Sequence, residues 1–283
     1  MSSLLLWASL ALAGTVTDAK GREVTVDDNA RILCLGGSIT ETVAALGMES
    51  QLVGVDASSL YPESVTALPQ VGYYRAVSAE GVLSLQPTVI LALEGSGPPP
   101  VMAQLEATGL PIVYLEEADS VPEARARIET VATALDAEAA PLLSRFDEEV
   151  EAGRSAALSG APRVLFIYAR AGGVMNVAGE GTSADAMIRL AGGVNAAAGF
   201  SGYKPLTPEA AVAAAPDVVL FTTRGLEASG GKQAALQNPA LALTPAGQKG
   251  AVAAVDDLLL LGFGPRTGKA ITALAQALRD ALA

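Results

Sequence analysis

One stretch of this chain occurs twice. Tyr74-Arg75-Ala76-Val77-Ser78-Ala79-Glu80 aligns without a gap on Tyr203-Lys204-Pro205-Leu206-Thr207-Pro208-Glu209. The register continues: Pro87 follows Glu80 at the spacing at which Pro216 follows Glu209. Each proline opens an apolar run, Thr88-Val89-Ile90-Leu91 in one half and Asp217-Val218-Val219-Leu220 in the other. A unit built twice points to two lobes of like construction. Ser78 and Thr207 are good helix N-caps, and each glutamate falls in the first turn, where the helix dipole favours a carboxylate. Helix-start chemistry accounts for each glutamate singly. It does not account for the aromatic and the cation that recur ahead of it.

The flanking sequence has α/β character. Residues 31–36 form an apolar run ending in Gly36-Gly37. Ser38 can cap a helix with Ile39, Val43, Ala44 and Leu46 at helical spacing and Gly47 as its stop. Leu52–Val55, Val89–Leu93 and Ile112–Leu115 read as strands, with a helix over 102–108. Apolar strands alternating with helices imply mostly parallel sheets covered on both faces. From Val121 to Leu158 the chain is rich in Ala, Glu, Asp and Arg, and reads as two helices broken near Pro141. A strand at 163–167 then starts a second α/β run. The expected organisation is a lobe over 22–136, a linker helix over 137–161 and a second lobe over 162–283.

Composition narrows the chemistry. The 283 residues include 18 basic and 30 acidic side chains, for a net charge of −12, which argues against nucleic acid or an anionic membrane as main partner. There is no histidine, which removes Ser-His-Asp and Cys-His catalysis and His-ligated zinc. The lone Cys34, in Arg31-Ile32-Leu33-Cys34-Leu35, reads as a buried structural thiol. Leu4–Ala13 is apolar but too short to span a bilayer, and Ala11-Leu12-Ala13 before Gly14 resembles a signal-peptidase site. A buried N-terminal strand is the other reading. The glycine-rich Ala171–Gly181 lacks P-loop and dinucleotide spacing and reads as a loop. Asp256-Asp257 reads as a turn before Leu258–Leu261 rather than a carboxylate site.

Several blocks together resemble a known family. They are Leu35-Gly36-Gly37-Ser38-Ile39-Thr40-Glu41, Val71-Gly72-Tyr73-Tyr74-Arg75, Arg189-Leu190-Ala191-Gly192-Gly193-Val194-Asn195, Gly202-Tyr203-Lys204-Pro205-Leu206 and Leu261-Gly262-Phe263-Gly264-Pro265-Arg266. From about Arg31 to Arg266 the chain resembles the periplasmic haem-binding proteins of bacterial haem ABC importers. These lie within a wider class of cobalamin, siderophore and haem receptors. The resemblance implies two Rossmann-like lobes joined by one long rigid helix, with haem captured in the cleft between them. It implies a monomeric, non-enzymatic carrier in the periplasm, not an integral membrane protein, delivering haem to an ABC permease dimer. Cobalamin or an iron siderophore is the alternative cargo.

The resemblance also implies roles for residues. Tyr73, directly after the glycine, corresponds to the axial ligand of the haem iron. Arg75 fits by motif and Arg224 by position as assisting cations, with Lys204 as a further partner for haem propionates. Tyr74, Tyr203 and Tyr168 are expected around the ligand, Tyr168 in the loop after a strand ending at Ile167, near where some relatives place a histidine. Glu80 and Glu209 correspond to permease-docking positions. Residue chemistry is compatible: ferric iron and a neighbouring guanidinium both favour a phenolate, and tyrosinate is an established axial ligand.

Overall fold

The computed structural model describes residues 14–28, 30–169 and 175–283, which divide into two compact units. Unit 1 takes the described residues up to Glu117 together with Arg127–Ala139; unit 2 takes Ala118–Ala126 and Ala140–Ala283. The expected signal segment at 1–13 and the first part of the glycine-rich stretch, 171–174, lie outside the described residues.

Unit 1 begins with an antiparallel pair, β1 (Gly14–Thr17) and β2 (Glu23–Val26). It continues through β3 (Ile32–Leu35), α1 (Gly37–Ala45), β4 (Leu52–Val55), α2 (Ala79–Ser84), β5 (Val89–Leu93), α3 (Pro99–Ala107) and β6 (Ile112–Leu115). Its main sheet has the order β4-β3-β5-β6, and every pairing is parallel. All residues of β3, β5 and β6 are buried, which is why they read as unbroken apolar runs. Successive side chains still leave by opposite faces. Ile32, Cys34, Leu91 and Val113 pack one core layer, while Leu33, Leu35, Ile90 and Tyr114 pack the other. Cys34 is fully buried, and desolvation pushes its thiol well above the usual range, as a structural cysteine requires.

The helices between the runs fall where the composition changes, with one difference in how they divide. The segment expected as the linker, 137–161, corresponds to α5 (Ala140–Ala156), which groups wholly with unit 2. The helix whose residues are shared by the two units is α4 (Val121–Ala134). Unit 2 then runs through β7 (Arg163–Ala169), β8 (Met175–Ala178), α6 (Ser183–Leu190), β9 (Val194–Asn195), β10 (Tyr203–Pro205), α7 (Pro208–Ala214), β11 (Val218–Thr222) and α8 (Thr223–Ala228). It closes with α9 (Gly231–Gln237), α10 (Pro239–Ala242), α11 (Pro245–Lys249), β12 (Val252–Val255), α12 (Asp257–Leu261) and α13 (Thr267–Leu282). The sheet order is β10-β8-β7-β11-β12, with β9 beside the start of β7. Strands β9, β7, β11 and β12 pair in parallel, whereas β8 and β10 join antiparallel. Helix α5 lies so close to α13 that a Cβ on Gly153 would come 2.8 Å from the Gly268 carbonyl.

From the helix caps onward the duplicated unit is alike in backbone and burial; ahead of them it is not, because Tyr203–Pro205 forms the edge strand β10 whereas Tyr74 and Arg75 lie in a turn. Ser78 and Thr207 cap α2 and α7 through their hydroxyls, accepting from Gly81 and Ala210 amides. From Val82 to Leu91 and from Ala211 to Leu220 burial follows the same sequence, except that Thr88 is exposed where Asp217 is partly buried. Gln86 and Ala215, each just before the proline, both adopt left-handed backbone, with φ of 49° and 43°. An arginine grips the end of each helix. Arg31 donates to the Gln86 and Leu85 carbonyls at 2.9 and 2.8 Å, and Arg163 donates twice to the Ala214 carbonyl at 3.1 and 2.7 Å. Such bonds satisfy carbonyls that the helix itself leaves open.

The start of α1 departs from the sequence reading. Ser38 does not cap the helix; it is buried inside it. The N-cap is Gly36, whose φ of 137° only glycine adopts readily. Its amide is accepted by Asp56 at 3.1 Å, and the Gly37 amide by the Ser58 hydroxyl at 2.9 Å. Asp56 is fully buried and also accepts from the Ser58 amide, the Ser58 and Ser59 hydroxyls and the Tyr74 amide. Asp256, expected in a turn before Leu258–Leu261, is the N-cap of α12, and Asp257 is already in its first turn. Replacing Asp56 by Ala strands three buried or half-buried amides, so Asp56→Ala is expected to lower the unfolding free energy by about 3 kcal/mol or more in urea titration. A loss under about 1 kcal/mol would show that the carboxylate is dispensable.

Candidate functional site

In unit 1 the segment from Val71 to Val77 is held as a platform. The Val71 amide donates to the Val55 carbonyl, the Ala57 amide to the Gly72 carbonyl and the Gly97 amide to the Tyr74 carbonyl, at 3.0, 2.8 and 3.0 Å. Gly72 has a φ of 93°, and this left-handed turn sets the next two tyrosines on different courses. Tyr74 turns inward, partly buried and packed against both core layers of unit 1. Tyr73 stays outward, 39% exposed, its ring edge-on to that of Tyr74 with centroids 4.7 Å apart.

The two phenols differ in chemistry as well. Burial, then the negative field of Glu117, push the Tyr74 hydroxyl well above the ordinary tyrosine range, so it stays protonated. Its oxygen accepts from Arg75 Nε at 2.9 Å, and the guanidinium also lies over its ring, 4.9 Å from the centroid. Arg75 donates its other face to Glu117 Oε1 at 2.5 Å. The arrangement therefore assigns Arg75 to Tyr74 and Glu117 rather than directly to Tyr73. Both partners of the ion pair are about half exposed, so it contributes at most about 1 kcal/mol and can open. Gly95 makes room for it: a Cβ there would lie 2.7 Å from Arg75 Nη1 and 2.8 Å from Glu117 Oε1.

In unit 2 the expected residues fall on the antiparallel side of the sheet and at one helix start. Tyr168 belongs to β7, which continues to Ala169, and not to the loop beyond it; pairing with β8 carries the strand on past Ile167. Its ring lies 5.8 Å from that of Tyr203 on β10, itself 47% exposed. Lys204, next on the same edge strand, sets its ammonium 4.6 Å from the Phe200 ring centroid. Arg224 is exposed in the first turn of α8, where the dipole disfavours a cation. Its amide donates to Asp257, while among the described residues its guanidinium has no ion-pair partner. Glu80 and Glu209 are both exposed in the first turns of α2 and α7.

Other conspicuous motifs have structural explanations. Asp185 is buried and binds Arg189 Nη1 at 2.5 Å, Asn195 Nδ2 at 3.0 Å and the Gly181 amide at 3.2 Å, which ties together the Arg189–Asn195 block. In the late block Phe263 is buried with a φ of 46°, turning the chain from α12 into α13. Asp56 and Glu117 are the members of the unit 1 site that sequence reasoning missed. Glu117 acts across 42 residues and sits in no local pattern, whereas Asp56 makes a local turn with Ser58 and Ser59 but reaches Gly36 and Tyr74 only through the tertiary fold. Among the described residues there is no cluster of three His, Cys, Asp or Glu side chains fit for a metal ion, and no helix long and apolar enough to cross a membrane.

The fold has known counterparts. The chain is 47% identical to the periplasmic heme-binding protein BhuT, solved in complex with two hemes, with a TM-score of 0.85 over 90% of this chain and 99% of that one. It is 44% identical to the periplasmic heme-binding protein RhuT from Roseiflexus sp. RS-1 in apo form, with a TM-score of 0.85 over 89% and 99% of the two chains. An uncharacterized ABC transporter substrate-binding lipoprotein, YvrC of Bacillus subtilis (strain 168), is 29% identical over 76% of this chain and 70% of its own length. The model of the family described as periplasmic binding protein matches residues 32–258, and the chain belongs to that family.

Proposed function

We propose that this protein is the extracytoplasmic receptor of a bacterial haem ABC importer, holding ferric haem through Tyr73 and passing it to the permease in the periplasm. The observation that carries the reading is the division of labour in the tyrosine pair. Tyr73 offers an accessible phenol on a fixed platform, while Tyr74 is partly buried, protonated and bonded to Arg75. Ferric iron supplies the charge that makes a phenolate at Tyr73 favourable. Similarity to two heme-binding proteins over nearly their whole length supports haem as the cargo ahead of cobalamin or a siderophore. With no histidine in the chain, an imidazole cannot complete the coordination.

The remaining residues take supporting roles in this reading. Arg75 stands beside the ligand tyrosine and can turn toward a propionate when its exposed pairing with Glu117 opens. Arg224 and Lys204 are exposed cations of unit 2 suited to carboxylates of the ligand, and Tyr168 and Tyr203 form an aromatic surface beside Lys204. Glu80 and Glu209 serve docking on the permease. They lie on helices, bear no ion pair among the described residues, and are equivalent in the repeat.

Haemin titration of the apo-protein is expected to give a five-coordinate, high-spin spectrum with tyrosinate charge-transfer bands. Tyr73→Ala should remove those bands. Tyr74→Phe, which keeps the core packing, should retain them. A low-spin bis-nitrogen spectrum, or bands that survive Tyr73→Ala, would overturn the assignment; absence of any Soret shift would overturn haem itself.

Docking is tested separately. Reversing both carboxylates, Glu80→Lys with Glu209→Lys, should abolish haem uptake by reconstituted vesicles while haemin titration stays normal. If uptake survives, the two glutamates only favour their helix starts, an effect of about 0.3–1 kcal/mol each.

A further inference from the structure

Each docking helix carries a second feature in the same register. One turn after Glu80 stands Leu83, 36% exposed, and one turn after Glu209 stands Val212, 43% exposed. Residues three apart on a helix share a face, so each carboxylate has a branched aliphatic side chain beside it. Both are among the most exposed large apolar residues described, although α2 and α7 are otherwise ordinary amphipathic turns with Val82 and Ala211 buried beneath. Single exposed aliphatics are common on surfaces and need no explanation. A branched aliphatic at the same position, next to a glutamate that bears no ion pair among the described residues, in both units, is a repeated patch.

The backbone beneath is fixed in the same way twice. Arg31 and Arg163 hold the last-turn carbonyls of α2 and α7. Each arginine also anchors the next strand: the Arg31 amide donates to Thr88 Oγ1 and the Arg163 amide to Asp217 Oδ2, at 2.8 and 2.9 Å. Gln86 and Ala215 close both helices in left-handed backbone before the proline. Neither patch needs ordering when a partner arrives, which lowers the entropy lost on association.

Resting on the docking role proposed above, we infer that the permease contact in each unit is a mixed patch, Glu80 with Leu83 and Glu209 with Val212, in which the aliphatic carries binding energy and the carboxylate carries orientation. The partner surface this fits is duplicated, each copy offering a cation beside an apolar recess, as the two equivalent faces of a homodimeric permease would. Charges at an interface rim mainly steer association and weaken with salt, whereas apolar burial is insensitive to salt at these concentrations. The two components therefore separate by ionic strength.

The experiment measures binding of haem-loaded full-length receptor to the haem permease–ATPase complex of the same organism in nanodiscs, at low and at physiological salt. L83S/V212S is expected to weaken binding roughly tenfold or more at both salt concentrations, leaving the salt slope and the haem spectrum unchanged. E80Q/E209Q should weaken binding mostly at low salt and flatten the slope. L83S and V212S singly should each give a partial loss. Wild-type binding by L83S/V212S, with E80Q/E209Q impaired, overturns the aliphatic role and leaves docking by the glutamates intact. Wild-type binding by both double variants overturns the docking role itself, and loss from one single variant alone overturns the duplicated contact.

Discussion

Asp56 is cut off from solvent, and its two oxygens are occupied by three backbone amides and two hydroxyls. A buried carboxylate is tolerable only when donors replace its hydration shell, and here the donors come from three separate places in the chain. Gly36 brings the start of α1, Ser58 and Ser59 bring the loop after β4, and Tyr74 brings the ligand segment. The requirement to satisfy one charge thus fixes these three segments of unit 1 relative to one another. Tyr73 inherits its place from this network without touching it. The Asp185 cluster does comparable service in unit 2, gathering Gly181, Arg189 and Asn195 around a second buried carboxylate.

On that frame the tyrosine pair separates two tasks that one residue cannot combine. A phenol open to a ligand must be reachable, and a platform residue must be packed; consecutive tyrosines just after a left-handed glycine meet both demands, one exposed and one partly buried. Tyr74 gives its ring to the core and its hydroxyl to Arg75. Arg75 is thereby kept beside the ligand position while Glu117 balances its charge. The absence of histidine leaves phenol, carboxylate, guanidinium and ammonium groups, and no imidazole, among the candidate residues.

Much of this was legible in the sequence because it is local. Helix caps at Ser78 and Thr207, the apolar strands after Pro87 and Pro216, and the buried Cys34 follow from residue type and short spacing. What escaped depends on tertiary pairing. Ser38 looked like a cap because hydroxyls usually serve there, but Gly36 takes a backbone conformation closed to other residues and borrows its acceptor from Asp56. Tyr168 looked like a loop residue because the apolar run ends at Ile167, yet pairing with β8 extends the strand. Glu117 lies 42 residues from Arg75, and no periodicity announces a partner at that range.

Gly95 contributes no atom to the ligand site, yet the space above its Cα is filled by the Arg75–Glu117 pair. Drift to alanine, ordinarily among the mildest replacements, would here push a cation and an anion apart without altering either. Sequence variation at this silent position therefore acts on a charge pair without changing either charge, by no more than the roughly 1 kcal/mol that so exposed a pair contributes. A lineage could shift the balance between the closed and open arrangements of this pair by gaining or losing a single methyl group, while Arg75 and Glu117 themselves stay the same.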